Sequence, residues 1–265
     1  MDQEGAVEGR SMILIAIPHT DFDPTETAIP WRVLTQAGYQ VRFATPSGRK
    51  GEADERVVTG KGFGPLRTFF AATRDSIETY KELRDHESFE KPISYDDIIE
   101  EEFEGLLLPG GHAPGMKEYL EAEALQQCAA AFFAKDKPVG AICHGVIVLA
   151  RARMPQSKRS PLFGRKTTAL PAFMELSAYW GTRLWLHDYF KTYPETVQQI
   201  VSRELEDKRG FMTGPWSLRR DSQEAPEKGF AVIDGNYISA RWPGDAYRFA
   251  SGFLAILERH RRHGA

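Results

Sequence analysis

Cysteine is scarce in this sequence, with Cys128 and Cys143 as its two thiols in 265 residues. Two cysteines are too few for a disulfide framework, and such low usage is typical of a reducing compartment. Charge of one sign is not in excess either, because 34 Lys and Arg oppose 37 Asp and Glu. This balance gives no electrostatic signature for nucleic acid or a membrane surface. We therefore expect free thiols, and partners that are small molecules or proteins.

Long hydrophobic runs are also missing. Residues 1–12 are acidic and polar, unlike the basic start and apolar segment of a signal peptide, and no later run approaches the length of a membrane span. These features predict a soluble, cytoplasmic protein. Its hydrophobic content of 42% is enough to form a full core. Without internal repeats or low-complexity segments, we expect one domain over residues 1–265, with a polar tail at residues 1–11.

The chain opens with the pattern of a βαβ unit. An apolar run from Met12 to Ile17 predicts a strand buried on both faces. Asp23 and Pro24 then mark the start of a helix that Gly38 ends, and Val41 to Ala44 begins a second strand. Strand, helix and strand in this order are typical of a doubly wound, mostly parallel sheet.

The regular pattern is interrupted between about residues 46 and 97, where charges and glycines are frequent. We expect one short helix there, between Thr73 and Arg84, and interpret the segment as an insertion that caps the site. The strand pattern resumes at Gly105 to Leu108 and at Lys137 to Ile142. Beyond these, the sequence predicts a weak strand at Lys166 to Leu170, a hairpin at Phe230 to Ala240, and helices at Val146 to Arg153, Ala172 to Tyr179, Pro194 to Leu205 and about Asp245 to His260.

Cys143 lies where a predicted buried strand turns into a helix, in the segment Ala141-Ile142-Cys143-His144-Gly145. Such a turn lifts the side chain out of the sheet and toward solvent, in the geometry of a nucleophile elbow. The start of the following helix lowers the pKa of a cysteine and favours the thiolate. An arbitrary cysteine is usually a small buried side chain, but this context favours a reactive one. Cys128, on the apolar stripe of a predicted helix, is expected to be structural.

The segment Pro109-Gly110-Gly111-His112 follows another predicted parallel strand. The carboxyl ends of parallel strands share one edge of a sheet, so the amides of Gly110 and Gly111 are expected near Cys143. Two such N–H groups form an oxyanion hole for charge that develops on a carbonyl oxygen. The amide of His144, directly after the cysteine, is a third candidate donor. A Pro-Gly-Gly segment by itself is equally typical of a simple turn.

Glu26 has two interpretations that do not exclude each other. It lies three residues after Asp23 and so fits the acid of a capping box at the first helix. At the carboxyl end of the first strand, it is also within reach of the elbow, where burial would keep it protonated and let it hydrogen-bond the sulfur or move a proton. His144 is adjacent to the cysteine in sequence and neighbours usually point apart, so its role as a base stays open.

A polar cluster near the first strand, His19, Asp21 and Asp23, has the residue types of a metal site. The polarity of a loop explains these residues more simply. No Cys/His spacing of the zinc type is present in the sequence.

Two segments, LLLPGGHAPGMKEYL at residues 106–120 and KPVGAICHGVIVLA at residues 137–150, resemble the ThiJ/PfpI superfamily of class I glutamine amidotransferase-like folds. The segment around Glu26 and the late hairpin near Gly235 resemble it as well. The resemblance implies a three-layer α/β/α, flavodoxin-like fold with a mostly parallel sheet and an inserted cap. The insertion and the segment Thr213-Gly214-Pro215-Trp216 resemble the larger heat-shock branch, whose members are glutathione-independent glyoxalases and holding chaperones.

That branch uses a Cys-His-acid site. The resemblance implies that Cys143 is the nucleophile, His144 the histidine and Glu26 the assisting acid. For the third member of the triad it implies Glu175, hydrogen-bonded to His144, because Ala172 stands where some relatives have Asp. A smaller branch of the superfamily has His where this chain has Leu170, so that version of the site is absent.

The implied activity is a glyoxalase-type conversion of 2-oxoaldehydes, methylglyoxal to lactate, without a metal or organic cofactor. Two alternatives remain: a cysteine peptidase or amidase that forms an acyl-enzyme, and a holding chaperone without catalysis. The chaperone would need an exposed apolar surface, for which the candidates are Trp180, Trp185, Tyr189 and Phe190. We expect a small-molecule carbonyl substrate and a homodimer, and neither nucleic acid nor a membrane as a partner.

Overall fold

The computed structural model describes residues 11–216 and 218–264, so the predicted polar tail lies almost wholly outside the described residues. The strands are β1 (Met12–Ala16), β2 (Thr20–Phe22), β3 (Gln40–Thr45), β4 (Glu52–Ala53), β5 (Ile93–Ser94), β6 (Gly105–Leu108), β7 (Val139–Ile142), β8 (Ala231–Asp234) and β9 (Tyr237–Ala240). The helices are α1 (Pro24–Gln36), α2 (Glu55–Thr59), α3 (Arg67–Phe70), α4 (Arg74–Arg84), α5 (Glu87–Glu90), α6 (Met116–Glu121), α7 (Glu123–Ala134), α8 (Val146–Arg151), α9 (Ala172–Leu186), α10 (Val197–Glu204) and α11 (Ala246–Gly264).

One large sheet organises the molecule, with the strand order β5-β3-β1-β6-β7-β9-β8. Neighbouring strands in it are parallel except for the antiparallel pair β8 and β9. At its centre, Ile15 is level with Phe43 on one side and Leu107 on the other, and all three side chains are fully buried. A strand covered on both faces needs a continuous apolar run, and β1 and β6 have such runs.

Helices cover the sheet in two groups. Helices α1, α4 and α11 pack together, whereas α8 packs against α7 and α10. The expected three-layer α/β/α, flavodoxin-like arrangement with a mostly parallel sheet is thereby confirmed. Among the described residues, none of the helices combines the length and the apolar character needed to cross a bilayer.

The late part of the chain differs from the sequence-based expectation in two places. The strand expected at Lys166 to Leu170 is wrong, because only Thr167 forms a single bridge, to Phe211. The next residue, Thr168, donates its N–H to the Ser239 hydroxyl at 2.9 Å. This N–H therefore bonds a side chain and not the backbone carbonyl of a neighbouring strand. The helix that was expected to end at Tyr179 continues to Leu186, the last residue of α9. The predicted hairpin is confirmed, with β8 and β9 joined at a glycine of positive φ.

The segment from about residue 46 to residue 97 holds β4, β5 and helices α2 to α5. As predicted, a helix, α4, follows Thr73, whose hydroxyl accepts from the N–H of Ser76. The expectation of one helix is wrong, because the segment also contains the short helices α2, α3 and α5. Val57 and Phe63 pack in a second hydrophobic cluster with three residues from a later part of the chain, Tyr179, Leu186 and Phe190. A role of this segment as a cap, and the single-domain organisation, stay predictions.

Candidate active site

Cys143 occupies a strained elbow between β7 and α8. Its φ is +57°, a left-handed conformation that costs a non-glycine residue about 1–3 kcal/mol and that proteins retain mainly at functional sites. Gly145 makes the turn possible, because a Cβ there would lie 2.1 Å from the carbonyl oxygen of Leu108. The predicted elbow is present. The expected exposure is not, since Cys143 is only 5% exposed and Cys128 is the more exposed of the two thiols.

Glu26 enters the same site from the first turn of α1. Asp23 caps this helix by accepting from the N–H groups of Thr25 and Glu26. The Glu26 carboxyl does not return to the cap; its Oε2 accepts from the N–H of Gly110 at 2.8 Å. The capping-box interpretation is therefore wrong. The buried amide at the end of β6 needs an acceptor, and the fully buried Glu26 side chain supplies it.

Glu26 and Cys143 belong to one site, because Oε2 of Glu26 and Cβ of Cys143 both lie within 2.9 Å of the position that a Cβ on Gly110 would take. Oε1 of Glu26 has no hydrogen-bond partner in the part of the chain that the structure describes, so a bond between this carboxyl and the sulfur stays a prediction. Burial raises the pKa of Glu26 well above its usual value, and the charge of Asp23 raises it further. The raised pKa favours the protonated form of this carboxyl, and the protonated form can donate to a sulfur.

The Cys143 thiol is neutral at rest, contrary to the thiolate expected at a helix start. Burial raises its pKa well above the usual value, the charges of Glu26 and Asp23 raise it further, and only the N–H of His144 lowers it. The helix that follows has six residues and is separated from the sulfur by a tight turn over residues 143–145, so its terminus does not compensate for burial. A neutral thiol reacts only if a neighbouring base takes its proton.

His144 is in a position to be that base. Its Nδ1 lies 3.4 Å from the Cys143 sulfur, although the two residues are adjacent in sequence. Its other ring nitrogen, Nε2, lies 3.2 Å from the hydroxyl of Thr192. The ring is fully buried, and burial lowers its pKa to about 3. The imidazole is therefore neutral at pH 7.

Glu175 does not bond to His144, which corrects the expectation for the third position of the triad. Its Oε2 instead accepts from the N–H of Val197 at 2.8 Å, at the start of α10. Burial raises the pKa of this carboxyl to about 7. The first turn of α10 has N–H groups without helical partners, and Glu175 satisfies one of them. The hydrogen-bonding neighbour of the His144 ring is Thr192.

The expected oxyanion hole is altered in the same way. The N–H of Gly110 is occupied by Glu26, so this amide is not free for a substrate oxygen. A Cβ at Gly110 would lie within 2.9 Å of Glu26, Cys143 and His144, which explains the glycine. The amides of Gly111, which follows Gly110 in the chain, and of His144, which follows Cys143, remain the candidate donors.

Two residues of the site gave no functional signal in the sequence. Thr192 and His112 line a cleft of about 620 Å³, and the Thr192 hydroxyl also donates to the carbonyl oxygen of His112 at 2.7 Å. The His112 ring stacks on Phe190 at 4.4 Å. The imidazole of His144 thus lies between the sulfur and the cleft. The position of His112 in the glycine loop was a weak hint of its role. Thr192 offered no hint, because it lies 48 residues beyond His144.

The proposed metal ligands are not directed at one point. His19 contacts Glu118 and Ser47, Asp21 accepts from the N–H of Gly115, and Asp23 caps α1. These separate partners support loop polarity as the reason for the cluster.

A strained elbow cysteine beside a neutral histidine, with a buried carboxyl nearby at the carboxyl ends of the strands of a flavodoxin-like sheet, defines a class of α/β proteins with a cysteine elbow. Comparison with known proteins names the family. A ThiJ/PfpI family-like model matches residues 17–211, and the chain belongs to this family.

Named relatives span most of the chain. The glutathione-independent glyoxalase hsp3101 of Schizosaccharomyces pombe is 27% identical over 97% of this chain and 99% of its own length. The deglycase PfpI of Pyrococcus furiosus is 25% identical over 93% and 100%. With two other curated relatives, the match spans 62% of this chain and 61% of one, and 96% of this chain and 50% of the other. A crystal structure of glyoxalase III from Candida albicans has the same fold, with a TM-score of 0.65 and 17% identity over 93% of this chain and 97% of that one.

Proposed function

We propose that this chain is a cysteine-dependent enzyme that converts 2-oxoaldehydes to 2-hydroxy acids without glutathione, with methylglyoxal and lactate as substrate and product. The observation that carries the proposal is the Cys143 sulfur 3.4 Å from a neutral imidazole, in a site that also contains the fully buried carboxyl of Glu26. The conversion needs a nucleophile for the aldehyde and groups that move protons between adjacent carbons. Relatives named as glyoxalases and deglycases support an enzymatic role.

In the proposed first step, the sulfur adds to the aldehyde carbon while His144 Nδ1 takes the thiol proton. The carbonyl oxygen becomes an alkoxide, for which the amides of Gly111 and His144 are the proposed donors. His144 then returns its proton to this oxygen. The product is a hemithioacetal on Cys143, and the imidazole is again a neutral base.

In the second step, a proton moves from the former aldehyde carbon to the neighbouring carbon through an enediol. His144 is proposed to take the carbon proton while Glu26 donates its proton to the neighbouring carbonyl oxygen, which gives the enediol. His144 then returns the proton to the neighbouring carbon, and Glu26 regains a proton from the hydroxyl that becomes the thioester carbonyl. This internal transfer oxidises one carbon and reduces the other, so no external oxidant is required. The resulting lactoyl thioester is hydrolysed by water, which releases lactate and the free thiol.

The direct test is lactate formation from methylglyoxal by the purified protein, in buffer free of glutathione and amines. We expect turnover by the wild type, loss of turnover in Cys143→Ala, and normal turnover in the control Cys128→Ala. Equal lactate production by wild type and Cys143→Ala would refute the proposal.

A hydrolase acting on adducts is the second candidate, and the relative named as a deglycase favours it. The same thiol would attack a carbonyl and release an amine, as in the peptidase or amidase interpretation. The low exposure of the Cys143 sulfur favours small adducts over extended polypeptides. The test uses an amino acid that has been treated with methylglyoxal. If the rate of amine release from it exceeds the rate at which free methylglyoxal is consumed, this candidate is selected.

The holding-chaperone alternative has one supporting feature. Trp180 is 63% and Leu184 92% exposed, and with Leu176 they recur at four-residue spacing along one face of α9. Of the other aromatic candidates, Trp185 is exposed, whereas Phe190 and Tyr189 belong to the second hydrophobic cluster. Suppression of aggregation that survives Cys143→Ala and is lost in Trp180→Gln with Leu184→Gln would establish this role.

A further inference from the structure

We propose that Thr192 is a positioning residue that fixes the tautomer of His144, leaving Nδ1 unprotonated and directed at the Cys143 thiol. This inference rests on the proposed function only for its catalytic consequence. The tautomer itself is a property of the resting protein and can be measured without a substrate.

The argument starts from the hydroxyl of Thr192, which is buried at 5% exposure. A hydroxyl has one proton to donate and two lone pairs that accept. Its oxygen lies 2.7 Å from the carbonyl oxygen of His112. A carbonyl oxygen only accepts, so the single hydroxyl proton points toward His112.

The second neighbour of the same hydroxyl is Nε2 of His144, at 3.2 Å. Since the Thr192 proton is already committed, its oxygen can only accept from the ring. Nε2 must then carry the hydrogen of the neutral imidazole. A neutral imidazole has one N–H, so Nδ1 keeps a free lone pair, 3.4 Å from the sulfur.

This orientation is the one that a base for Cys143 requires. With the opposite tautomer, the Nδ1–H would face a thiol that is itself protonated, and no lone pair would be available for the proton. The hydroxyl thus takes over the orienting task that an acid performs in a Cys-His-acid triad. The remaining acid candidate, Glu175, is bound to the N–H of Val197.

The tautomer can be read directly in the full-length protein. In ¹⁵N-labelled wild type at pH 7, long-range proton–nitrogen correlation spectra should show Nε2 of His144 as protonated and Nδ1 as unprotonated, with the signals assigned by their absence in His144→Gln. In Thr192→Val the preference should weaken and the Nδ1–H form should become detectable. Thr192→Ser, which keeps the hydroxyl, should restore the wild-type pattern.

A second measurement reports the consequence for the thiol. We expect alkylation of Cys143 by iodoacetamide to slow about tenfold in Thr192→Val, the effect of losing one buried hydrogen bond, and to recover in Thr192→Ser. Cys128 in the same sample is an internal reference. The matched control is Thr182→Val, a buried threonine whose hydroxyl bonds only the carbonyl of Ala178 within its own helix; it should change neither readout.

An Nδ1–H tautomer in the wild type would overturn the inference, and this outcome needs no variant to fold. So would unchanged Cys143 alkylation in a folded Thr192→Val protein. If the tautomer and the alkylation rates are as expected but no lactate forms from 2-oxoaldehydes, the inference stands and the proposed function fails.

Discussion

The backbone N–H of Gly110 donates to the Oε2 of Glu26 at 2.8 Å, and this bond joins the end of β6 to the start of α1. It holds the carboxyl in the site of Cys143 and occupies one of its two oxygens. The second oxygen has no partner among the described residues, and it is the one that we propose for the thiol. A group with this geometry can exchange a proton with the sulfur or with a carbon bound to it, and the following substitution isolates that capacity.

Glu26→Gln is expected to keep the fold and lose most of the activity. The amide oxygen of glutamine still accepts from the Gly110 N–H, whereas an amide cannot exchange a proton as a carboxyl does. We expect turnover of methylglyoxal to fall about a hundredfold, the usual contribution of general acid–base catalysis, with an unchanged melting temperature. The control is Glu102→Gln at an exposed position. Near-normal turnover in Glu26→Gln would remove this carboxyl from the mechanism.

Glu175→Gln should act on stability in a pH-dependent manner. The pKa of Glu175 is raised from 4.5 to about 7 by burial, so the folded state holds this proton more tightly than the unfolded chain does. Its contribution to stability is complete below pH 4.5 and is lost as the pH rises through 7. Glutamine resembles the protonated form. The free energy of unfolding of the variant should be close to that of the wild type at pH 4.5 and exceed it by about 3 kcal/mol at pH 8, as measured by urea denaturation.

The same variant tests the assignment of the residue that orients His144. Because Glu175 contacts the N–H of Val197 and not the imidazole, we expect turnover within about threefold of the wild type. A loss of a hundredfold or more in a fully folded Glu175→Gln protein would restore Glu175 as the acid of the triad.

Gly110→Ala is expected to inactivate the protein. The added Cβ would lie 2.8 Å from Glu26 Oε2 and from the N–H of His144, so the site must expand or the loop must move. We expect turnover to fall by about a hundredfold, since displacements of about 1 Å have effects of this size. The control is Gly181→Ala in α9, where a Cβ meets nothing within 4 Å and should stabilise the helix by about 1 kcal/mol. Circular dichroism and turnover, measured together, separate misfolding from misplacement.

Alkylation distinguishes the two thiols. Both have raised pKa values, that of Cys128 to about 12, but only Cys143 has a neutral imidazole in contact with it. We expect Cys143 to be modified first by brief iodoacetamide treatment despite its lower exposure, as determined by peptide mapping. Preferential modification of Cys128 would contradict the base role of His144.

The homodimer also stays a prediction, which light scattering of the purified chain can check.

The elements around the site could be predicted because their signals are local. Apolar runs at β1, β6 and β7, with Pro, Gly and Asp at their ends, specify the order of strands and the elbow at Cys143. The direction in which the pKa of Cys143 is shifted could not be predicted. A helix start is visible in sequence, but burial depends on residues brought over the sulfur from distant segments, and burial dominates.

The partner of His144 was missed for a similar reason. Thr192 follows α9 in an irregular stretch and has no motif of its own, and its role depends on a carbonyl at His112 that only the folded chain places beside it. Glu175 was a reasonable expectation from its position near the start of α9. The start of α10 at Val197 offered it a closer donor, and helix starts compete effectively for buried carboxylates.

The placement of Glu26, Gly110 and Cys143 after three adjacent strands has a consequence for biosynthesis. β1, β6 and β7 are neighbours in the sheet but are separated by more than a hundred residues of chain between first and last. Contacts of such long range form late, because closing large loops precedes them. A ribosome-bound or partly folded chain therefore carries Cys143 without its imidazole and carboxyl neighbours in place. The assistance that we propose for the thiol therefore begins only when the central sheet is complete, because the sulfur has no fixed imidazole and carboxyl beside it before that.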